Sequence, residues 1–162
     1  MAQFHNVVKK IKDLLEQNDC WFEMFEHKPV RTSEEAAKLR PDYFLSQGAK
    51  AMIVKAKNKG KVKFVMIVVP GDKRFDSKKT KKLLGTKDLS FASEKKVKEI
   101  TEGVEPGGVP PFGDLFGLEV YVDKALFDNE KIVFNAGDRS VSIAIRSEDY
   151  KELANPEIVE II

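Results

Sequence analysis

The N-terminal residues of the chain show a helical pattern of apolar positions, at Phe4, Val7, Val8, Ile11, Leu14 and Leu15. This spacing places the apolar side chains on one face of an α-helix, so we predict an amphipathic helix that ends near Asn18. A second helix is predicted over residues 31–40. There Thr32 precedes Glu35 by three residues, which is the capping-box pattern, and Pro41 should end the helix.

Strand patterns occupy much of the remaining chain. The stretches AMIVKAK at 51–57 and KVKFVMIVV at 61–69 flank Asn-Lys-Gly, a turn sequence that allows the positive φ values of a tight reversal. We therefore predict a β-hairpin, and we expect its nearly continuously apolar second strand to be central in a sheet. Further strands are predicted over residues 21–27, 88–92, 118–123, 131–137 and 140–146.

Three more helices complete the predicted elements. Asp76 and Ser93 are suitable N-caps for two short lysine-rich helices over 77–85 and 94–103, and SEDYKELA at 147–154 predicts the last helix. Because the strands adjoin one another more often than they alternate with helices, we predict a mixed α+β fold. We expect a single domain over residues 1–162, with a curved, largely antiparallel or mixed sheet that is partly barrel-like and flanked by helices.

The charge distribution adds a possible polyanion-binding surface to this fold. Residues 50–99 contain 16 Lys and Arg against 5 Asp and Glu, a local net charge of +11, whereas the whole chain has a net charge of only +2. Such a block can attract nucleic acid. The alternative is a solvated surface whose lysines only keep the protein soluble.

Composition and motifs argue against several classes of protein. The single Cys20 excludes an internal disulfide, and the two histidines, His5 and His27, lie too far apart for a recognisable zinc pattern, so we expect neither metal nor cofactor. The longest apolar run, residues 64–70, is too short to cross a bilayer, and the N-terminus lacks the pattern of a signal peptide. We therefore expect a cytoplasmic protein with no membrane partner. The motifs of common nucleophilic enzymes are missing.

Four features remain as candidate chemistry. The segment EPGGVPPFG at 105–113 has six Pro or Gly residues among nine, so it must form a shaped loop, a linker or a site. Lys50 begins a strand and could hold a phosphate or stabilise an oxyanion, or it could be a solubilising edge residue. Asn135 and Gly137 could face a ligand or simply close a turn. His27 could carry a proton or be structural.

Taken in order, these segments resemble the YbaK/prolyl-tRNA-synthetase-associated editing domain family. The resemblance rests on HKPVRTSEEAA, on Lys50 at the head of KAMIV, on VVPGDKRFD followed by a lysine-rich helix and LLG, on GVEPGGVPPFG and on FNAGDRSVSI. It covers roughly residues 20–155. It implies a mixed α/β domain that hydrolyses the ester between a wrong amino acid and tRNA, binds the acceptor end of mischarged tRNA and acts in trans. An aminoacyl-tRNA synthetase could be a further partner.

The resemblance also implies roles for individual residues. Lys50 falls on the family's functional lysine, which contacts the terminal nucleotide or the ester region. The Gly-x-x-x-Pro loop would line the aminoacyl pocket, with the segment of residues 135–137 facing it. The implied substrate-binding residues are Gly107, Gly108, Val109, Pro110, Pro111, Phe112, Asn135, Ala136 and Gly137, together with His27 and Thr32 from the first segment.

The absence of a catalytic triad is compatible with this function. An aminoacyl ester is already activated, so a positioned water, a stabilised oxyanion and a selective pocket suffice, and the family is described as using a hydroxyl of the terminal ribose. The chain departs from the family pattern at Ala51, where other members often carry a polar residue, and at Asn-Ala-Gly of 135–137, where alanine-editing members have a pattern that contains histidine. The substrate could thus be mischarged tRNA-Pro, or carry Cys, Ala or another small amino acid. The alternatives are a non-catalytic aminoacyl- or nucleotide-binding module and a synthetase-associated partner.

Overall fold

The computed structural model describes residues 4–30, 32–40 and 42–162, and within these ranges it contains five α-helices and eight strands. The helices are α1 (Asn6–Gln17), α2 (Ser33–Lys38), α3 (Ser77–Leu84), α4 (Glu94–Thr101) and α5 (Ser147–Ala154). The strands are β1 (Phe22–Glu26), β2 (Ala49–Asn58), β3 (Lys61–Pro70), β4 (Asp88–Phe91), β5 (Val120–Asp123), β6 (Lys131–Asn135), β7 (Val141–Arg146) and β8 (Glu157–Val159).

The helix ends follow the capping residues that the sequence predicts. Thr32, Asp76 and Ser93 each accept a hydrogen bond from the backbone amide three residues later. α1 ends before Asn18, as its apolar pattern predicts. The predicted stop at Pro41 lies outside the described residues, and α2 itself ends at Lys38.

The strands form two sheets. One has the order β1-β7-β6 and is antiparallel, and the other has the order β4-β2-β3-β5-β8 and is mixed, because β5 runs parallel to both β3 and β8. The predicted hairpin is β2 and β3, joined by Lys59 and Gly60 with φ values of 51° and 79°. The α+β class with a mixed sheet is thus confirmed, but the two sheets described here do not close into a barrel.

A single large apolar cluster lies between these elements. It includes the inner face of α1, the inward side chains of both sheets, and Phe112 from the Pro/Gly loop. Ile11 and Leu15 of α1 are fully buried, and each contributes roughly 1.5–3 kcal/mol relative to an exposed side chain. This packing holds the helix and the loop on the same core.

The place where the two sheets meet positions the candidate site. Gly48, just before β2, forms a parallel bridge with Val133 of β6, so the start of β2 in the five-stranded sheet lies beside β6 of the three-stranded sheet. This contact brings Lys50 close to Asn135, although 85 positions separate them in the sequence. None of the helices in the three described ranges is long and apolar enough to cross a membrane.

Candidate functional site

A cavity of about 400 Å³ opens where the two sheets meet. Five of the residues predicted from the sequence lie in its wall, namely Thr32, Lys50, Gly107, Val109 and Asn135. Eleven further residues complete the wall: Glu34, Ala36, Arg40, Gly48, Ala49, Ala51, Met52, Arg74, Pro106, Val133 and Phe134. The structure therefore brings the strand lysine, the start of α2 and the Pro/Gly loop to one site.

The other predicted residues lie behind the wall. Phe112 is buried and packs edge-on against Phe134 and Tyr150, with ring centroids 5.5 and 5.4 Å apart. The rest of this layer consists of the buried residues Gly108, Pro110, Pro111, Ala136 and Gly137, and the half-buried His27. These residues can shape the cavity only by supporting the residues that face it.

The Pro/Gly loop is held by hydrogen bonds from the end of β6, from the turn that follows it and from α5. The Asn135 side-chain amide donates to the carbonyl of Gly107 over 2.6 Å, and the amide of Gly137 donates to the carbonyl of Gly108 over 2.8 Å. A Cβ on Gly108 would lie only 3.2 Å from a backbone nitrogen of the facing segment, so the close approach needs glycine here. The buried Tyr150 hydroxyl donates to the carbonyl of Pro111 over 2.7 Å.

Lys50 is half-buried at the edge of the cavity, where its ammonium donates to the carbonyl of Lys73 over 2.7 Å. Partial burial lowers the pKa of Lys50, and the nearby Arg74 adds to this effect. Glu34, which also lines the cavity, and Asp72 oppose the shift. Lys50 is thus a cation in a partly dry site, where a positive charge acts more strongly on a bound anion than it does in water.

Arg40 is the main wall residue that the sequence did not reveal. It is only 5% exposed, and burial lowers its pKa to about 10. Its guanidinium donates to the Asn135 side-chain oxygen and to the Ser142 hydroxyl, each over 2.9 Å. Within the described ranges, no carboxylate pairs with it. The sequence around Arg40 is typical of a solvent-exposed residue at a helix end. Only the tertiary structure shows that Arg40 is buried.

His27 reaches the site through Ser142. Its Nδ1 lies 2.8 Å from the carbonyl of Lys28, and because a carbonyl can only accept, Nδ1 donates this hydrogen bond. Nε2 forms a hydrogen bond of 2.7 Å with the Ser142 hydroxyl. Ser142 in turn accepts from Arg40, so His27 supports the pair of Arg40 and Asn135 from behind.

The charges of the described wall have a clear imbalance. Arg40, Lys50 and Arg74 are cationic, and Glu34 is the single carboxylate among these lining residues. Within the described part of the chain, no three histidine, cysteine or carboxylate side chains lie together in a group that could hold a metal ion. The wall thus offers cations and backbone donors to an anionic or strongly polar ligand.

Comparisons with known proteins agree on one family. A profile described as the aminoacyl-tRNA editing domain matches residues 27–153. The chain is 33% identical over 160 residues to a protein of Escherichia coli (strain K12) named multifunctional Ser/Thr-tRNA deacylase ProXp-y, covering 98% of this chain and 95% of that one. It is 27% identical to the prolyl-tRNA editing protein ProX of Acetoanaerobium sticklandii, covering 82% and 80% of the two chains.

The fold is also found in solved structures. A crystal structure described as a candidate trans-editing enzyme for prolyl tRNA synthetase superposes with a TM-score of 0.81, covering 98% of both chains at 22% identity. At this identity the likeness establishes the shared fold.

Proposed function

The chain belongs to the aminoacyl-tRNA editing domain family, and we propose from this premise that it is a deacylase that hydrolyses the ester between a wrong amino acid and tRNA. The observation that carries the proposal is the meeting of Lys50 and the Pro/Gly loop at one cationic cavity. The name of the Escherichia coli relative, which covers nearly the whole chain, specifies a tRNA deacylase.

The reaction we propose needs little covalent chemistry from the protein. A water attacks the ester carbonyl carbon, the bond to the ribose oxygen breaks, the amino acid leaves with a carboxylate, and the ribose hydroxyl regains a proton. Negative charge develops on the carbonyl oxygen during the attack, so donors aimed at this oxygen accelerate the reaction. The backbone amides of Gly107 and Val109, two residues of the cavity wall, would supply such donors.

Lys50 would hold the substrate by charge. Its ammonium lies at the cavity edge beside Arg74, so the two cations would meet the phosphate or the ester region of the terminal nucleotide. The surface lysines of residues 50–99 would bind the acceptor end of the tRNA through its phosphates. Association with a synthetase is a further part of this proposal, supported by the 36% identity of 104 residues to part of a proline–tRNA ligase of Bacillus licheniformis.

The polar wall supports a small amino acid with a hydrogen-bonding side chain as the substrate. Arg40 and Asn135 lie together in the wall, and Thr32 adds a hydroxyl at the mouth of α2. A site built to hydrogen-bond a hydroxyl discriminates strongly against an analogue that lacks it. Serine and threonine, which the name of one relative specifies, suit this wall better than alanine, and cysteine is the intermediate case.

The test is deacylation of a panel of mischarged tRNAs carrying serine, threonine, cysteine and alanine. We expect the wild type to release serine or threonine faster than buffer does, and Lys50→Ala to slow this release by 10-fold or more, since its charge acts in a partly dry site. Lys10→Ala, an exposed lysine of α1 outside both the cavity wall and the basic block, is the matched control and should match the wild type.

Two results would refute parts of this proposal. If the wild type deacylates none of the four substrates above buffer, the enzyme proposal fails and a non-catalytic binding module remains. If Lys50→Ala and Lys10→Ala are equally active, deacylation stands but the role of Lys50 does not.

A further inference from the structure

A second groove, of about 430 Å³, adjoins the cavity and shares Lys50, Met52 and Arg74 with it. Its remaining surface is mostly apolar and is formed by Phe75, Leu89 and Phe91, with serine at its margins. We call this surface the aromatic groove. The cavity is rich in polar groups, whereas the aromatic groove offers flat apolar surface, so a ligand spanning both needs a polar end and an aromatic end.

Phe91 is the most unusual residue of the aromatic groove. It is 66% exposed at the end of β4, which is an edge strand of the five-stranded sheet. Phe75 contacts it edge-on, with ring centroids 5.7 Å apart, so the exposed ring is supported on one side and open on the other. Exposed apolar surface of this kind commonly marks a binding site.

The groups around the aromatic groove match a nucleotide. Proteins that bind single-stranded nucleic acid combine aromatic rings, on which bases stack, with cations that meet the phosphates. Here Phe91 provides the ring, and Lys50 and Arg74 provide the cations on the side toward the cavity. Arg74 is exposed, which leaves its guanidinium available to a phosphate.

A further row of cations continues from the aromatic groove along α3, which begins at a residue of the groove margin. In α4, Lys96 and Lys98 form ion pairs with glutamates. By contrast, Lys78, Lys81 and Lys82 of α3 have no carboxylate partner among the residues that the structure describes. These lysines are therefore free to meet phosphates further along a strand of nucleic acid.

From this arrangement we infer that the aromatic groove binds the 3′-terminal base of the tRNA by stacking on Phe91. The inference rests on the proposed function, because an aminoacyl group in the cavity fixes where its nucleotide must lie. The ester joins the amino acid to the terminal ribose, so the base of that nucleotide must lie next to the cavity. The aromatic groove is the apolar surface that shares Lys50 and Arg74 with the cavity.

The experiment compares Phe91→Ala with Phe91→Trp and Phe44→Ala. Phe44 is 78% exposed and lines neither the cavity nor the aromatic groove, so Phe44→Ala controls for loss of an exposed ring. With a mischarged tRNA as substrate, Phe91→Ala should raise KM by about 5- to 150-fold, the size of base–aromatic stacking, with little change in kcat. Phe91→Trp should retain the wild-type KM, and so should Phe44→Ala.

Binding of the uncharged trinucleotide CCA, titrated against each variant by calorimetry, tests the aromatic groove without any deacylation. Weaker CCA binding by Phe91→Ala alone supports the inference, even if the wild type deacylates nothing and the proposed function fails. Equal CCA binding and equal KM for Phe91→Ala and the wild type would overturn it. A change of oligomeric state in Phe91→Ala with unchanged CCA binding would also overturn it, and would identify the aromatic groove as an interface between copies.

Discussion

Replacement of Asn135 by alanine tests whether the hydrogen-bonded pair of Arg40 and Asn135 holds the cavity wall together. The asparagine oxygen accepts from the buried Arg40 guanidinium, and its amide donates to the carbonyl of Gly107. Asn135→Ala removes these two bonds, together with a longer one of 3.3 Å from the Ser142 hydroxyl, and leaves a buried cation with one acceptor fewer. We therefore expect a loss of both stability and activity.

The magnitude follows from the two bonds. A hydrogen bond to a charged group contributes about 1.5–3 kcal/mol, while the bond to Gly107 contributes about 0.5–1 kcal/mol because this half-buried carbonyl can turn to water. The free energy of unfolding should fall by about 2–4 kcal/mol. For a protein of this size, that corresponds to a drop in Tm of about 5–15 °C.

Asn135→Asp separates stability from activity. The carboxylate would give Arg40 an ionic partner, so unfolding should require more free energy than in Asn135→Ala. Its second oxygen, however, would oppose the carbonyl of Gly107, and a negative charge would enter a wall that binds an anionic substrate. We expect this variant to be folded and nearly inactive toward mischarged tRNA.

Urea denaturation followed by circular dichroism measures the free energies, and deacylation of the preferred mischarged tRNA measures activity. The control is Asn58→Ala, because Asn58 donates to a carbonyl at the exposed turn after α3 and has no charged partner. It should lose less than about 1 kcal/mol. If Asn135→Ala is as stable as Asn58→Ala, the buried arginine does not depend on Asn135, and the reasoning fails.

Three further predictions concern the charge and the support of the site. Lys50 should act as a cation whose pKa lies below its usual 10.5, so the enzyme-dependent rate should fall at alkaline pH with a midpoint below that value. Because Arg74 lowers the pKa of Lys50, Arg74→Gln should move this midpoint upward. A midpoint that stays or moves down contradicts the prediction. Gly137 has a φ of 107°, and a Cβ added there would lie 2.9 Å from Val7. Gly137→Ala should therefore lower the free energy of unfolding, measured by urea denaturation, by at least about 2 kcal/mol. A decrease below about 1 kcal/mol would show that the segment relaxes. Tyr150→Phe leaves the buried carbonyl of Pro111 without its hydrogen-bond donor, so the free energy of unfolding should fall by about 1–3 kcal/mol. An unchanged Tm would contradict this prediction.

The sequence alone determined the fold class, all but one of the described helices and strands, and the family. The spacing of apolar residues in α1, the caps at Thr32, Asp76 and Ser93, and the turn at Lys59 and Gly60 are local signals, because each depends on contacts within a few residues. The order of the sequence segments identified the family, which the comparisons confirm. β8 was missed because three residues are too few to show a period.

Only the tertiary structure decided which residues share a wall. The contact of Gly48 with Val133 joins two sheets whose strands are far apart in the sequence, and no local pattern encodes such a contact. In the fold, Arg40 is a buried neighbour of Asn135, and Phe112 packs against Phe134 of the cavity wall. The burial of a side chain and its contacts depend on long-range packing. The sequence could therefore suggest the chemistry of Lys50 and the Pro/Gly loop, but only the fold showed that Arg40, Arg74 and Phe91 lie around them.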